Sequence, residues 1–220
     1  MFKNGTICVD DESLQSIPKE TFLYQDIKRL ILTNVKISTL PKKVGTLISL
    51  THLNLSGSLG EKTSLSLYGR KPLLQSLPAE IANLKNLREL ILDSNSFHVF
   101  PPAICDLERL ETLSMNYNCL ETLPNEVNKL QRLTVLCLDD NLFQTMPVVI
   151  YHLSNLETLS MEYCRMETIP DGISKLKSLD CLALEGNRIE KLPADFGLLT
   201  SLKYLRLPNN SFTELPVTFE

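Results

Sequence analysis

The sequence is dominated by one recurring dipeptide, an apolar residue followed by proline. It occurs at Ile17-Pro18, Leu40-Pro41, Leu77-Pro78, Phe100-Pro101, Leu123-Pro124, Met146-Pro147, Ile169-Pro170, Leu192-Pro193 and Leu215-Pro216. Seven of the eight intervals are 23 residues long, and the remaining one is 37. A fixed period of this length is typical of a repeat protein, in which each unit buries its apolar side chains against its neighbours.

A common frame, L-x-x-L-x-L-x-x-N-x-L-x-x-L-P-x-x-I-x-x-L, surrounds each proline, and residues 110–130 follow it closely. The L-x-L alternation predicts a strand that buries every second residue, and P-x-x-I-x-x-L predicts a short helical or 3₁₀ segment. Stacked units of this kind would place a parallel β-sheet on the concave face and the short segments on the convex face. A continuous leucine core would lie between them.

The frame resembles that of the leucine-rich repeat family, in its 23-residue class with a Leu-Pro motif. The resemblance covers nearly the whole chain and implies an α/β fold, a curved, horseshoe-shaped solenoid that forms a single domain over residues 1–220. About nine units are expected, with starts near residues 4, 27, 50, 87, 110, 133, 156, 179 and 202.

The resemblance also implies a ladder of asparagine side chains that satisfy backbone groups where each strand ends. The ladder positions are Asn95, Asn118, Asn141, Cys164, Asn187 and Asn210. Cys164 stands where asparagine is usual, and the family pattern tolerates cysteine there. Glu12 and Val35 depart from the pattern, so the first two units should be less regular.

The long interval exceeds the 23-residue period by 14 residues, and we place this insertion within residues 56–72. Insertions in repeat proteins map to loops on one face, often the binding face. The alternation of residues 65–68, LSLY, equally favours an additional strand or hairpin edge. Both interpretations stay open at this point.

Nothing in the sequence has the spacing of a catalytic or metal-binding motif. The six cysteines form no C-x-x-C pair and no terminal clusters, and His52, His98 and His152 fall in different units. Residues on distant units of a rigid solenoid cannot converge into a nucleophilic triad. We therefore expect no catalytic residues, no metal and no cofactor, with the cysteines as free thiols.

Charge and hydropathy restrict the class of partner and the location. The formal net charge of −4 argues against general nucleic-acid binding, which needs an excess of Lys and Arg. No stretch approaches the roughly 18 apolar residues of a membrane span, and residues 1–14 lack the apolar core of a signal peptide. These features favour a cytoplasmic protein, with secretion into a host cell by a bacterium as the alternative.

Information for a partner should lie in the outward residues of the strands, because the buried leucines only specify the shape. From the fourth unit to the eighth, these positions are rich in carboxylates and amides, with tyrosines beside them. Such a surface would steer a basic partner toward the concave face. The predicted partner-binding residues are Glu89, Asp93, Asn116, Tyr117, Asp139, Asp140, Glu162, Tyr163 and Glu185. Lys203 and Arg206 close the far end with positive charge.

The sequence thus predicts a non-enzymatic protein–protein interaction module that binds a basic partner on an acidic concave face. Repeats of the class it resembles occur in intracellular signalling scaffolds and in effectors that pathogens deliver to host cells. The alternative is the substrate-recognition part of a larger enzyme, such as a ubiquitin ligase with its catalytic cysteine in a separate domain. An extracellular receptor module would need terminal cysteine caps, which the sequence does not show.

Overall fold

The computed structural model describes residues 5–57 and 73–213, and within them nine parallel strands form one open, curved sheet. The strands are β1 (Thr6–Asp10), β2 (Arg29–Thr33), β3 (His52–Asn54), β4 (Glu89–Ile91), β5 (Thr112–Ser114), β6 (Val135–Cys137), β7 (Thr158–Ser160), β8 (Cys181–Ala183) and β9 (Tyr204–Arg206). Their order in the sheet is their order in the chain. Apart from its first two residues, the predicted insertion at 56–72 lies outside the described residues.

The register of the sheet repeats the period of the sequence. Leu113 of β5 is paired with Leu136 of β6, which is paired in turn with Leu159 of β7. Leu53 and Leu90 are paired in the same way across the long interval. These side chains are at most 1 % exposed, and the middle residue of each strand from β3 to β8 is buried in the same way, while its two neighbours point outward. The leucine column is the centre of the core.

The convex side consists of short 3₁₀ segments in the described part of the chain. They are Lys19–Leu23, Lys42–Thr46, Ala79–Asn83, Pro102–Asp106, Asn125–Lys129, Val148–His152, Ile173–Lys175 and Phe196–Leu198. In the fifth, the carbonyl of Pro124 accepts a hydrogen bond from the N–H of Val127, and that of Val127 from the N–H of Leu130. Side chains three residues apart eclipse one another in such a helix, so Val127 and Leu130 both enter the core.

The architecture confirms the predicted fold class, a leucine-rich solenoid with its parallel sheet on the concave side. Phe97 and Phe143 fill the core between the sheet and the 3₁₀ segments, with no exposed surface. Each fully buried leucine or phenylalanine contributes about 1.5–3 kcal/mol relative to exposure. No unit could bury its own side chains alone, so neighbouring units hold one another in shape.

Asparagine side chains join each unit to the one before it at the end of the strand. Asn118 Nδ2 donates to the carbonyls of Leu92 and Met115, both at 3.0 Å, and its Oδ1 accepts from the Phe97 N–H at 3.1 Å. Equivalent bonds are made at Asn95, Asn141, Asn187 and Asn210. These amides satisfy buried backbone groups that would otherwise cost free energy.

Cys164 takes over the donor function of the ladder asparagine but not its function as a strong acceptor. Its Sγ donates to the carbonyl of Leu138 at 3.2 Å, but a thiol is a weak acceptor. The backbone of this turn is also different, because Asn187 Oδ1 accepts from the N–H groups of both Cys164 and Met166. The residue between them, Arg165, has a φ of +64°.

At the two ladder positions of the N-terminal units, other contacts take the place of asparagine. Glu12 forms an ion pair with Lys36 at 3.1 Å. Val35 forms an isolated parallel bridge with Gly57. The units are therefore joined at these positions without a side-chain amide.

Candidate functional site

Because the strands are in register, their outward side chains form columns that cross the concave sheet. One column begins with the last residue of β2. In β3 to β8, which are shorter, the equivalent residue lies two positions after the C-terminal end of the strand. Its members are Thr33, Ser56, Asp93, Asn116, Asp139, Glu162 and Glu185. We call the six residues Asp93, Asn116, Tyr117, Asp139, Asp140 and Glu162 the acidic concave patch.

Hydrogen bonds connect this column from unit to unit. Asp93 Oδ1 accepts from the hydroxyl of Ser114 at 2.6 Å and from the N–H of Asn116 at 2.9 Å. Asn116 Oδ1 accepts in turn from the N–H of Asp139 at 2.7 Å. These side chains therefore cap backbone N–H groups of the following unit, in addition to any role toward a partner.

Asp139 repeats the arrangement of Asp93 two units further on. Its Oδ1 accepts from the hydroxyl of Ser160 at 2.5 Å and from the N–H of Glu162 at 2.8 Å. In the described part of the chain, the second oxygen of neither aspartate takes part in a hydrogen bond or ion pair. One oxygen of each carboxylate thus holds the surface in place, and the other is available to a ligand.

The residue after each column position adopts a left-handed backbone. Tyr117, Asp140 and Tyr163 have φ values of 56°, 52° and 54° at successive units. This conformation is uncommon for residues other than glycine, asparagine and aspartate. Tyr117 is 41 % exposed and Tyr163 is 46 % exposed, so the turn presents two aromatic side chains on either side of Asp140.

The three aspartates of the patch carry negative charge that no ion pair within the described residues compensates. Burial raises the pKa of Asp93, although its two hydrogen bonds oppose this, and the negative charge of Asp139 raises it further. Burial and then Asp139 raise the pKa of Asp140. The pKa of Tyr117 is raised by burial and then by the surrounding carboxylates, with Asp140 first. A cation placed here would favour the charged carboxylates and so oppose the effects of burial and of like charge that raise these pKa values.

At the far end of the patch, Arg206 supplies such a cation from within the chain. Its Nη2 lies 2.5 Å from Oε2 of Glu185, and its Nε lies 3.4 Å from Oε1 of Glu162. Tyr163 donates its hydroxyl to Oε1 of Glu185 at 2.7 Å, which is the main reason that the pKa of Glu185 is lowered. Glu185 is only 7 % exposed, and the ion pair with Arg206 compensates its charge.

Gly186 makes room for the ring of Tyr163. A Cβ on Gly186 would lie 2.2 Å from Cδ1 of Tyr163, far inside contact distance, and the φ of Gly186 is +70°. The ring therefore lies against the backbone of the next unit, with its hydroxyl held by Glu185. Tyr163 is a fixed platform at the border of the patch.

The predicted partner-binding residues are thus placed in three settings. Residues 93, 116, 117, 139, 140 and 162 lie together in the acidic concave patch. Glu89 is the first residue of β4 and is paired with His52 of β3 and Thr112 of β5. Glu185 and Tyr163 belong to the network around Arg206.

Sequence reasoning missed the serine partners of the two aspartates. Ser114 and Ser160 stand at the same position of two units that are two repeats apart, which is a signal that the sequence does contain. It also treated Arg206 as a separate positive end, whereas the structure pairs this residue with Glu162 and Glu185.

The thiols on and near this face are not poised for chemistry. None of the six cysteines, all of which lie in the described residues, forms a disulfide bond. Burial, followed by the charges of Asp139 and Asp93, raises the pKa of Cys137 to about 11, and burial raises the pKa of Cys164 to about 12. At neutral pH both are thiols and poor nucleophiles.

No group of three or more His, Cys, Asp or Glu side chains in residues 5–57 and 73–213 is placed to hold a metal ion. None of the helical segments over the same ranges has the length and apolar character that crossing a membrane requires.

Family models match the chain over most of its regular part. A model described as a leucine-rich repeat region matches residues 75–168, and a second leucine-rich repeat model matches residues 154–212. The chain therefore belongs to the leucine-rich repeat family, whose fold is a protein-interaction module. Among curated proteins, no match was found.

Solved structures agree with this assignment. A leucine-rich repeat protein of Leptospira interrogans is 36 % identical with a TM-score of 0.83, over 92 % of this chain and 48 % of that one. The repeat domain of the type III effector XopL is 22 % identical with a TM-score of 0.78, over 97 % and 72 %. A plant peptide hormone receptor in complex with RGF2 is 22 % identical with a TM-score of 0.63, over 97 % and 38 %. The chain spans about half the length of the Leptospira protein.

Proposed function

We propose that the chain is a non-enzymatic interaction module that binds a protein partner through the acidic concave patch. The observation that carries this proposal is the cluster of Asp93, Asp139 and Asp140 around Tyr117. Burial is the main reason that the pKa values of Tyr117, Asp93 and Asp140 are raised, and the neighbouring carboxylates raise them further. None of the ion pairs among the described residues includes any of these three aspartates. A lysine or arginine from a partner would provide the charge that the patch lacks, so the partner has a basic surface.

The patch is suited to binding because it is already ordered. Backbone hydrogen bonds hold Asp93, Asn116 and Asp139, and Gly186 and Glu185 hold Tyr163. A pre-formed surface loses little conformational entropy on association. The partly exposed rings of Tyr117 and Tyr163 bury large areas with few rotatable bonds, which suits them as anchors.

The biological setting belongs to the proposal as well. The 36 % identity to a bacterial repeat protein and the similarity in fold to the repeat domain of a type III effector support a pathogen effector. A signalling scaffold uses the same kind of surface. The first role would place the protein in a host cell after secretion by a bacterium, and the second in the cytoplasm. Neither role requires nucleic acid or a cofactor.

The structure selects the variants for a test. Asp140→Asn with Glu162→Gln removes two charges from the patch while keeping side-chain shape, and it leaves the aspartates that cap backbone N–H groups intact. The matched control is Glu108→Gln with Glu126→Gln, which removes two charges from exposed positions on the convex side. Each tagged protein is used for affinity capture from lysate of candidate cells, followed by mass spectrometry and by calorimetry with the purified partner.

The expected result is a protein retained by the native chain and by the control, and lost with the patch variant. Its association rate should also fall steeply as ionic strength rises, because opposite charges steer the encounter. Equal retention by all three proteins would show that the patch is not the site.

The alternative is that these repeats select the substrate of a larger enzyme such as a ubiquitin ligase. The similarity to a Leptospira protein about twice as long favours this candidate, since the chain covers 48 % of it. The mass of the native protein, measured by mass spectrometry on material from its source, distinguishes the two. A mass close to 24.9 kDa would leave no room for a catalytic domain.

A further inference from the structure

A second candidate site lies where the chain leaves the strands, beyond the asparagine ladder and outside the acidic concave patch. A solvent-open depression of about 260 Å³ is lined by Glu121, Leu142, Gln144, Arg165, Glu167 and Arg188. These residues come from four consecutive units. Arg165, which lines the depression, is two residues after Tyr163 in the chain. The depression therefore borders the concave surface, but no residue of the acidic concave patch lines it.

Two arginines at equivalent positions of adjacent units line this depression, together with two glutamates. Arg165 and Arg188 each follow a ladder residue, Cys164 and Asn187, and both are exposed. Elsewhere, charges on neighbouring units form ion pairs, as Lys203 does with Asp180 at 2.8 Å. No ion pair or hydrogen bond from the side chain of either arginine is found in the described part of the chain. Like charges at equivalent positions of adjacent units repel each other, and an anion bound between them would offset this repulsion.

The backbone of Arg165 is unusual as well. Its φ of +64° lies in the left-handed region. The other described non-glycine residues with positive φ directly follow a column residue or, in the ninth unit, the equivalent Pro208. Such strain costs free energy and is concentrated at functional sites. The altered turn around Cys164 and Asn187 sets this conformation and thereby determines where the Arg165 side chain leaves the backbone.

The chemistry of the lining selects the type of anion. Guanidinium groups bind carboxylates through paired, charge-assisted hydrogen bonds. Glu121 and Glu167 lie at the same depression, and their charges oppose a dianionic phosphate more strongly than a monoanionic carboxylate. Gln144 adds a neutral donor and acceptor. The site therefore fits a carboxylate better than it fits phosphate.

We propose that Arg165 and Arg188 form a subsite that binds the carboxylate of an aspartate or glutamate side chain in an acidic protein segment. The subsite carries a charge opposite to that of the acidic concave patch. A partner that occupied both would therefore need an acidic residue beside its basic surface, which would fix its orientation on the sheet. Binding at the subsite itself does not depend on the function proposed above.

The test uses the whole chain and an acetylated, amidated triglutamate peptide as the probe. The side-chain Nε–Hε resonances of the arginines are followed by NMR during titration with the peptide and, separately, with inorganic phosphate. Arg109 and Arg132 are the internal control, because they too occupy equivalent positions of adjacent units but do not line the depression. Arg165→Gln with Arg188→Gln is compared with Arg109→Gln with Arg132→Gln, which changes the net charge equally.

The expected result is a saturable shift at Arg165 and Arg188, with affinity about tenfold higher than at the control pair, as expected for one charge-assisted hydrogen-bonded contact. The variant at 165 and 188 should lose this binding while its melting temperature stays unchanged, and the control variant should keep it. Equal shifts at both arginine pairs would overturn the proposal. Tighter binding of phosphate than of peptide would overturn the assignment to a carboxylate.

Discussion

The most direct test of how the units are joined is the replacement of Asn141 by alanine. Asn141 is 2 % exposed, and its Oδ1 accepts from the N–H of Leu120 at 2.9 Å. Its Nδ2 donates to the carbonyls of Met115 and Leu138 at 2.9 and 3.0 Å. Alanine would leave the buried N–H of Leu120 without an acceptor, which costs about 1–3 kcal/mol. It would also remove one hydrogen-bond donor from each of the two carbonyls. We expect a total loss of about 2–3 kcal/mol of unfolding free energy.

Urea denaturation followed by far-ultraviolet circular dichroism measures this loss. The chain itself suggests the control, since Cys164 shows that a thiol can serve at this position as a donor. Asn141→Cys should keep a donor to the carbonyls and lose the strong acceptor, so its stability should lie between those of the native chain and Asn141→Ala. Hydrogen exchange adds a local readout, because the Leu120 amide should lose protection in both variants. An unchanged denaturation midpoint in Asn141→Ala would refute the reasoning.

Four other predictions concern the core, the patch and the thiols. Leu136→Ala should cost about 2–5 kcal/mol in the same denaturation experiment, since it leaves a cavity in the middle of the leucine column. Asp140→Asn should stabilise the chain by about 0.5 kcal/mol at pH 7, because a raised pKa means that folding disfavours the carboxylate; the gain should vanish in melts below the ordinary pKa of 3.8, where the native side chain is protonated. Gly186→Ala should cost at least about 1 kcal/mol and displace Tyr163, seen as a changed tyrosine near-ultraviolet signal. Cys137, with a pKa of about 11, should react with iodoacetamide at pH 7.5 much more slowly than a cysteine in an unfolded peptide. Fast labelling of Cys137 in the folded protein would contradict the raised pKa.

The sequence was sufficient for the fold because the fold repeats with the sequence. Leu113, Leu136 and Leu159 are 23 residues apart, and the same interval separates their paired positions in the sheet. The period therefore specifies at once which residues are buried and which strands are neighbours. The choice between helical and 3₁₀ segments required the structure, since a single turn after proline satisfies either pattern.

The candidate site was predictable in position but not in detail. The column of carboxylates follows directly from the period, so Asp93 and Asp139 were found on the concave face. Their bonds to Ser114 and Ser160 depend on distances between units, which no pattern of residue types contains. The same holds for Arg206, whose side chain reaches across one strand to Glu185 and two strands to Glu162.

The asparagine bonds have a direction along the chain, and this matters while the protein is being made. The N–H of Phe97 is bonded by Asn118, and that of Leu120 by Asn141, each of which lies in the following unit. A unit that has just left the ribosome therefore remains incomplete until about one further repeat has emerged behind it. Synthesis from the N-terminus closes these bonds one after another, so folding can advance with translation rather than wait for the last residue.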